Sequence, residues 1–241
     1  MRLPPAILGS TEEVLREILR FTAPADVTLS RYFKDHQRLG SRERGVVAEA
    51  VYSVLRNKTF FTEFGGTGGT PSMRRLALLG LSETAGIESL SGLTEEETEF
   101  LTRIKEIDRK LLPPLAQANM PQWLYDKLVS QYGEAEAKEL AAVLNTPAPL
   151  DLRVNSIKAN RDDVIATLAE APILAEPTPY SPLGLRVMKK PTLQNLPLFK
   201  DGAIEVQDEG SQVLAQIVAA RRGEMVVDFC AGAGGKTLAL G

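Results

Sequence analysis

The sequence predicts a multidomain chain of α and α/β character: an all-helical bundle, a small α+β module, and the opening of a parallel α/β sheet. Three observations carry this. Apolar residues recur at helical spacing through the first 140 residues or so. A proline-containing segment at residues 144–149 then gives way to short alternating runs. Finally an apolar run, Met225-Val226-Val227-Asp228-Phe229, meets a glycine-rich bend and a helix start, Cys230-Ala231-Gly232-Ala233-Gly234-Gly235-Lys236-Thr237. The expected division is 1–140, 141–206 and 207–241.

The elements follow in order. Residues 12–21 place Val14, Leu15, Ile18 and Leu19 at helical spacing. Ser41 is placed to cap a second helix, with Val47, Val51, Val54 and Leu55 on one face. Residues 74–81 and 95–107 give a third and a fourth helix, and residues 65–71 are too rich in glycine to be anything but a loop. Pro147 and Pro149 keep the next segment out of helix. Leu150-Asp151-Leu152-Arg153-Val154 alternates as a half-buried strand should, and Asn160 or Asp162 opens a helix through Val164, Ile165 and Leu168. Residues 183–188 and 203–206 read as further strands, which makes 141–206 an RRM-like or ferredoxin-like module. From Glu209 to Ala220 an amphipathic helix carries Val213, Leu214, Ile217 and Val218 on one face, and Arg221-Arg222-Gly223 ends it. Residues 225–229 read as a buried parallel strand, opening a Rossmann-like sheet whose ligands bind at the strands' carboxyl ends.

The bend can be tested against phosphate-binding motifs. A Walker A loop needs glycine five positions before the glycine of its Gly-Lys-Thr end, and Cys230 stands there. The dinucleotide fingerprint fits Gly232 and Gly234, but Thr237 holds its third glycine position. What remains is a bend that lets backbone approach a ligand closely, at a helix N-terminus suited to an anionic group. The carboxylate of S-adenosylmethionine suits such a site. Its candidate binding residues are Asp228, Cys230, Ala231, Gly232, Ala233, Gly234, Gly235 and Lys236. Asp228 would shape the turn, and Lys236 is placed to neutralise a ligand charge. The alternative reading is an ordinary strand-to-helix turn.

Asp-Phe-Cys-Ala-Gly-Ala-Gly-Gly-Lys-Thr (228–237) resembles the cofactor motif of the RsmB/Sun family of ribosomal RNA cytosine methyltransferases. The likeness extends upstream in the family's order. Gln207-Asp208-Glu209-Gly210-Ser211-Gln212 is similar to the segment leading into the family's catalytic domain, and Leu152-Arg153-Val154-Asn155 to its "LRVN" strand. Leu39-Gly40-Ser41-Arg42-Glu43-Arg44 resembles a helix start in its NusB-like amino-terminal domain. One departure is Ala233-Gly234, where many members carry proline before the glycine pair. The resemblance implies a NusB-like bundle, an RNA-binding α+β module and the truncated start of a Rossmann-like methyltransferase domain. It also implies methyl transfer from S-adenosylmethionine to carbon 5 of a cytosine in ribosomal RNA. In the family the catalytic cysteine comes from a later Pro-Cys or Thr-Cys motif that this sequence does not contain, so no catalytic residue is assigned and the chain alone is expected to be inactive.

Composition sets bounds. With 44% apolar residues the chain supports buried cores, and it has no run of eighteen apolar residues to span a membrane. One cysteine excludes internal disulfides and fits a reducing cytoplasm. Net charge is −3, yet basic residues cluster: Arg31, Lys34, Arg38, Arg42, Arg44, Arg56, Lys58, Arg74 and Arg75 precede an acidic run at Glu95–Glu97 and Glu99. This basic half could meet RNA phosphates while the acidic half faces solvent, or both could be solvated helix faces. Candidate RNA contacts are Arg42, Arg44, Arg153, Asn155 and Lys158, with Arg186, Lys189, Lys190 and Lys200 in support. Aromatic residues for base stacking are few, with Tyr180 and Phe199 the candidates. Cys230 tempts as a nucleophile but reads as a small packing residue of the turn; lone His36 reads as a surface residue, and no metal site is expected.

Two functions stand at this point: a methyltransferase portion acting on ribosomal RNA as a monomer, or a non-catalytic RNA-binding or ribosome-assembly protein. A P-loop enzyme is a distant third.

Overall fold

The computed structural model describes residues 2–66, 69–188 and 191–241. It divides into two compact units, residues 1–146 and 147–241.

The first unit is helical: α1 (Pro5–Ile18), α2 (Ala25–Asp35), α3 (Ser41–Arg56), α4 (Lys58–Phe64), α5 (Met73–Ala85), α6 (Glu95–Lys105), α7 (Pro114–Ala118), α8 (Gln122–Tyr132) and α9 (Glu134–Leu144). The first helix starts earlier than its apolar spacing suggests, because Pro5 sits at the first helical position, where a missing N–H costs nothing. Helix α2 escapes a pattern search: its polar Arg31, Lys34 and Asp35 hide a buried face of Leu29 and Tyr32. Ser41 is not the cap of α3. Gly40 occupies that position, and the Glu43 carboxylate accepts its N–H at 2.8 Å. Helix α5 is buried on nearly every side from Leu76 to Leu81, as a central helix must be. Its Gly80 lets α3 come close: a Cβ there would lie 2.5 Å from the Ala50 carbonyl oxygen. A second cluster, Ala118, Met120, Tyr125, Ala137 and Ala141, joins α7, α8 and α9. The expected glycine loop at 65–71 includes Thr67 and Gly68, which lie outside the described residues.

The charge pattern of this unit is knitted rather than segregated. Glu97 of the acidic run accepts Arg74 at 2.5 Å, Arg74 also reaches Glu12 at 3.4 Å, and Arg75 lies 3.7 Å from Glu96.

The second unit carries an antiparallel sheet of β1 (Leu150–Val154), β2 (Ala175–Pro177), β3 (Gly184–Val187) and β4 (Ile204–Val206), in the order β2-β3-β1-β4. Helices α10 (Arg161–Glu170), α11 (Pro197–Lys200), α12 (Glu209–Val218) and α13 (Gly235–Leu240) complete it. Asn160 caps α10, its side chain accepting the Asp162 N–H at 2.8 Å. Register places Leu152 opposite Leu185 and Leu150 opposite Val187, so one sheet face is apolar and packs on Val164 and Leu168 of α10. The other face bears Asp151, Arg153, Arg186 and Glu205, and Asp151 and Arg153 are both buried. The expectation of a half-buried strand is therefore corrected, because α12 packs against β1.

Two further expectations fail in the last thirty residues. In α12 the buried residues are Glu209, Gln212 and Ala215, while Leu214, Ile217 and Val218 are more than half exposed. The helix ends at Val218 with Ala219 left-handed (φ 50°), before the Arg-Arg-Gly stop. Residues 225–229 form no strand: Met225 is 94% and Phe229 96% exposed. Strand propensity alone cannot hold an extended segment, since its N–H and C=O groups need a neighbouring strand, and none pairs with it among the described residues. Amides from 219 to 234 should accordingly exchange with solvent orders of magnitude faster than those of α3 and α5. Equal protection in a hydrogen-exchange experiment would contradict this picture of the segment.

Candidate cofactor turn

The turn is built from local geometry. Gly232 (φ 55°) and Gly234 (φ 86°) both take left-handed backbone, which only glycine adopts without strain. The Gly234 N–H closes the bend on the Ala231 carbonyl at 2.8 Å, and Gly234 then caps α13. Thr237 on that helix donates its hydroxyl to Asp228 at 2.8 Å, so Asp228 does shape the turn, by holding the helix that follows. Gly232, Ala233 and Cys230 are exposed, while Asp228, Ala231, Gly234, Gly235 and Lys236 are half-buried. Cys230, read from the sequence as a small packing residue of the turn, is exposed. A cleft of about 620 Å³ opens beside the turn, lined by Arg221, Arg222, Val226, Asp228 and Thr237 among others.

The turn stands on a buried polar lattice over the sheet. Arg186 of β3 donates its Nε and Nη2 to the two carboxylate oxygens of Asp151 of β1, at 2.8 and 2.9 Å. Asp151 also accepts the Glu209 N–H at 3.4 Å. Glu209, at the start of α12, accepts the N–H groups of Tyr180 (2.6 Å) and Ser181 (2.9 Å), and its other oxygen lies 4.0 Å from Arg186. One turn on, Gln212 accepts the Ser181 hydroxyl at 2.7 Å and donates to the carbonyls of Leu152 (3.3 Å) and Gln207 (2.9 Å). Burial pushes the Glu209 carboxyl up, but the Tyr180 and Ser181 N–H groups, the Thr178 hydroxyl and the Arg186 charge outweigh it. The group ends below the ordinary carboxylate range. Asp151 in turn holds the Arg186 guanidinium in its charged form, above its ordinary value and against the opposing effect of burial.

The candidate RNA contacts are scattered. Arg42 is exposed at the start of α3, with no ion-pair partner among the described residues. Arg44 donates to the Leu39 carbonyl at 2.8 Å and lies over the Phe33 ring. Arg153 is buried and paired with Glu205 at 2.6 Å, facing it across β1 and β4. Asn155 accepts the Ile157 N–H at 3.1 Å and donates to the Gly202 carbonyl at 3.3 Å. Lys158 donates to the Asp201 carbonyl at 2.5 Å. Arg186 belongs to the lattice and Lys200 is exposed, while Lys189 and Lys190 lie outside the described residues. Tyr180 is exposed, and its ring is available on the surface. His36 stacks on Tyr32 with ring centroids 3.9 Å apart. Sequence reasoning missed the lattice residues Asp151, Glu209 and Gln212. Their signal is a carboxylate inside a strand and a Glu and a Gln three apart at a helix start, a pattern shared with many solvated helices.

Residues 120–194 match the family described as the RsmF/B-like methyltransferase ferredoxin-like domain. Over 93% of its length the chain is 29% identical to the probable ribosomal RNA small subunit methyltransferase B of Synechocystis sp., covering 58% of that relative. Over 117 residues, 48% of the chain, it is 36% identical to the ribosomal RNA small subunit methyltransferase B of Pasteurella multocida and 34% identical to that of Photorhabdus laumondii. These stretches cover 26% and 27% of the two relatives. The chain thus spans little more than half the length of the Synechocystis relative. The crystal structure of PH0851 superposes over the whole chain and 61% of its own, with a TM-score of 0.66 at 21% identity, a likeness of fold.

The lattice predicts a specific response to acid. Because the folded state holds Glu209 below its ordinary value of 4.5, its stabilisation is complete above that pH and is lost as pH falls through the lower folded value. Glu97, also lowered, adds to the same acid limb. Melting temperature should stay level from about pH 7 to about pH 5 and fall below that. Glu209→Gln should melt lower at neutral pH and show a shallower acid limb, keeping the share due to Glu97. An unchanged acid limb in that variant would remove Glu209 from the account.

Proposed function

We propose that this chain is part of a ribosomal RNA methyltransferase of the RsmB/Sun family, and that it supplies RNA-binding surface and part of a cofactor site to a cytosine carbon-5 methyltransferase. The group bound at the turn is S-adenosylmethionine, which supplies the methyl when bound. The observation that carries this reading is the turn 231–235, exposed at Gly232 and Ala233 and built on two left-handed glycines, with Asp228 fixed beside it by Thr237. These residues fit the group: no side chain at Gly232 or Gly234 blocks backbone from a ligand, and the first-turn N–H groups of α13 have no intrahelical partners. The cofactor residues are Asp228, Cys230, Ala231, Gly232, Ala233, Gly234, Gly235 and Lys236, with Lys236 answering the ligand's negative charge. Cys230 is a wall of the turn and not the nucleophile of the family reaction. The helical unit takes the place of the family's NusB-like domain, residues 141–206 that of its RNA-binding module, and residues 207–241 that of the Rossmann-like opening.

Ribosomal RNA is the partner, and its contacts are electrostatic. Arg42 is the strongest of them, being exposed and without an ion-pair partner among the described residues, with Arg44 and Lys158 beside backbone carbonyls and Asn155 at the end of β1. Arg153, already committed to Glu205, contributes by holding the sheet. No helix among the described residues is long and apolar enough to cross a membrane, and a cytoplasmic monomer fits a ribosomal RNA substrate.

Binding separates this reading from a non-catalytic RNA-binding protein. S-Adenosylhomocysteine, titrated calorimetrically into the chain, should bind, and Gly234→Val should weaken it at least about tenfold by straining the left-handed cap. A transcript of the small-subunit RNA should bind in a separate titration. RNA binding without any heat from the cofactor analogue would favour the assembly-protein reading. Arg42→Ala should weaken RNA binding across all sequences and lower the slope of affinity against salt by about one ion. An unchanged slope would move the RNA contact elsewhere.

A further inference from the structure

Among the described residues, none hydrogen-bonds the Gln207 side chain. Its main chain is fixed on both sides: the N–H donates to the Asp151 carbonyl at 3.1 Å, and the carbonyl accepts the Gln212 amide at 2.9 Å. The residue is 6% exposed, and among the described residues it alone has both polar atoms of its side chain buried without a hydrogen-bond partner. Such an amide is rare, because burying donor and acceptor unpaired forfeits their hydration. Its nitrogen lies 3.7 Å from the point a Cβ would occupy at Gly235, so the amide is directed at the glycine-rich turn. The same lattice that anchors α12 therefore also sets where the Gln207 amide stands.

Resting on the cofactor reading above, we propose that Gln207 is a cofactor-contacting residue, whose amide hydrogen-bonds the amino-acid end of an S-adenosylmethionine-type ligand seated at the turn. That end carries an ammonium and a carboxylate side by side, and a primary amide offers an acceptor for the first and a donor for the second. Being neutral, the amide can wait in a buried position where a charged group would demand a partner. Gly235 places no side chain between the amide and the turn, and the fixed backbone of Gln207 lowers the ordering cost of the contact.

The test uses the 241-residue chain and its Gln207→Met variant, which keeps the shape and removes both polar atoms. Two quantities are measured: the melting temperature without ligand and the affinity for S-adenosylhomocysteine by calorimetry. A ligand-contacting amide predicts a variant that melts at or above the wild-type temperature yet binds about tenfold more weakly. Equal affinity overturns the proposal. A variant that melts lower, or fails to fold, overturns it as well, since the amide would then be a structural tie within the protein. If the wild-type chain itself takes up no S-adenosylhomocysteine, the cofactor reading falls and carries this one with it, and the wild-type titration tells that case from the others.

Discussion

The second unit depends on one arrangement, the grip of Arg186 on Asp151 across two strands, with Glu209 drawn in from the helix above. A carboxylate at 3% exposure in the middle of a sheet is unfavourable unless every lone pair is engaged. Here each member satisfies another. Asp151 takes two guanidinium N–H groups and a backbone N–H, and Glu209 takes two backbone N–H groups from the loop at Tyr180 and Ser181. Removing one partner would strand the other in low dielectric, which is why such lattices specify a single packing more than they add stability. The result is that α12 can seat only where Glu209 and Gln212 meet their partners.

That constraint explains why α12 buries its polar side. A helix carrying Val213, Leu214, Ile217 and Val218 would ordinarily turn those residues inward. The sheet face below it is already polar, however, and it selects Glu209, Gln212 and Ala215. Leu214, Ile217 and Val218 are left on the outer side, with the extended apolar segment at 225–229 also exposed. In the helical unit the governing constraint is of another kind. Gly80 lets α5 lie against the Ala50 carbonyl, and a large apolar cluster packs around them.

Much of this was legible in sequence where the signal is local. The Asn160 cap, the alternation of β1, the glycine bend and the start of α12 all depend on neighbours within a few residues. What failed depends on partners far along the chain. Alternation at Asp151 and Arg153 reports two faces, but not that a helix sixty residues later covers the polar one. The run 225–229 has strand propensity, yet pairing is a property of two segments, and its exposure follows from having none. Edge strand β2, with Glu176 and Pro177 in three residues, has too little pattern to announce itself. Helix α2 was hidden by its charges, because Leu29 and Tyr32, with the polar Thr28, mark its buried side.

The same lattice bears on how the α+β sheet and the glycine-rich turn are held together. Gln212 donates to Leu152 of β1 and to Gln207, and Gln207 in turn meets both the strand and the turn. The path from the sheet reaches Gln207 through hydrogen bonds between buried groups, and its last step, to Gly235, is a close approach of the side chain without a hydrogen bond. Position at the turn is inherited from the sheet, while the intervening segment is left to adapt. A site assembled this way keeps its geometry even where the chain between its parts is weakly held, because the ordering was done when the sheet folded. On this argument Gln207 is the joint at which the two meet: its backbone belongs to the sheet, and its side chain faces the turn.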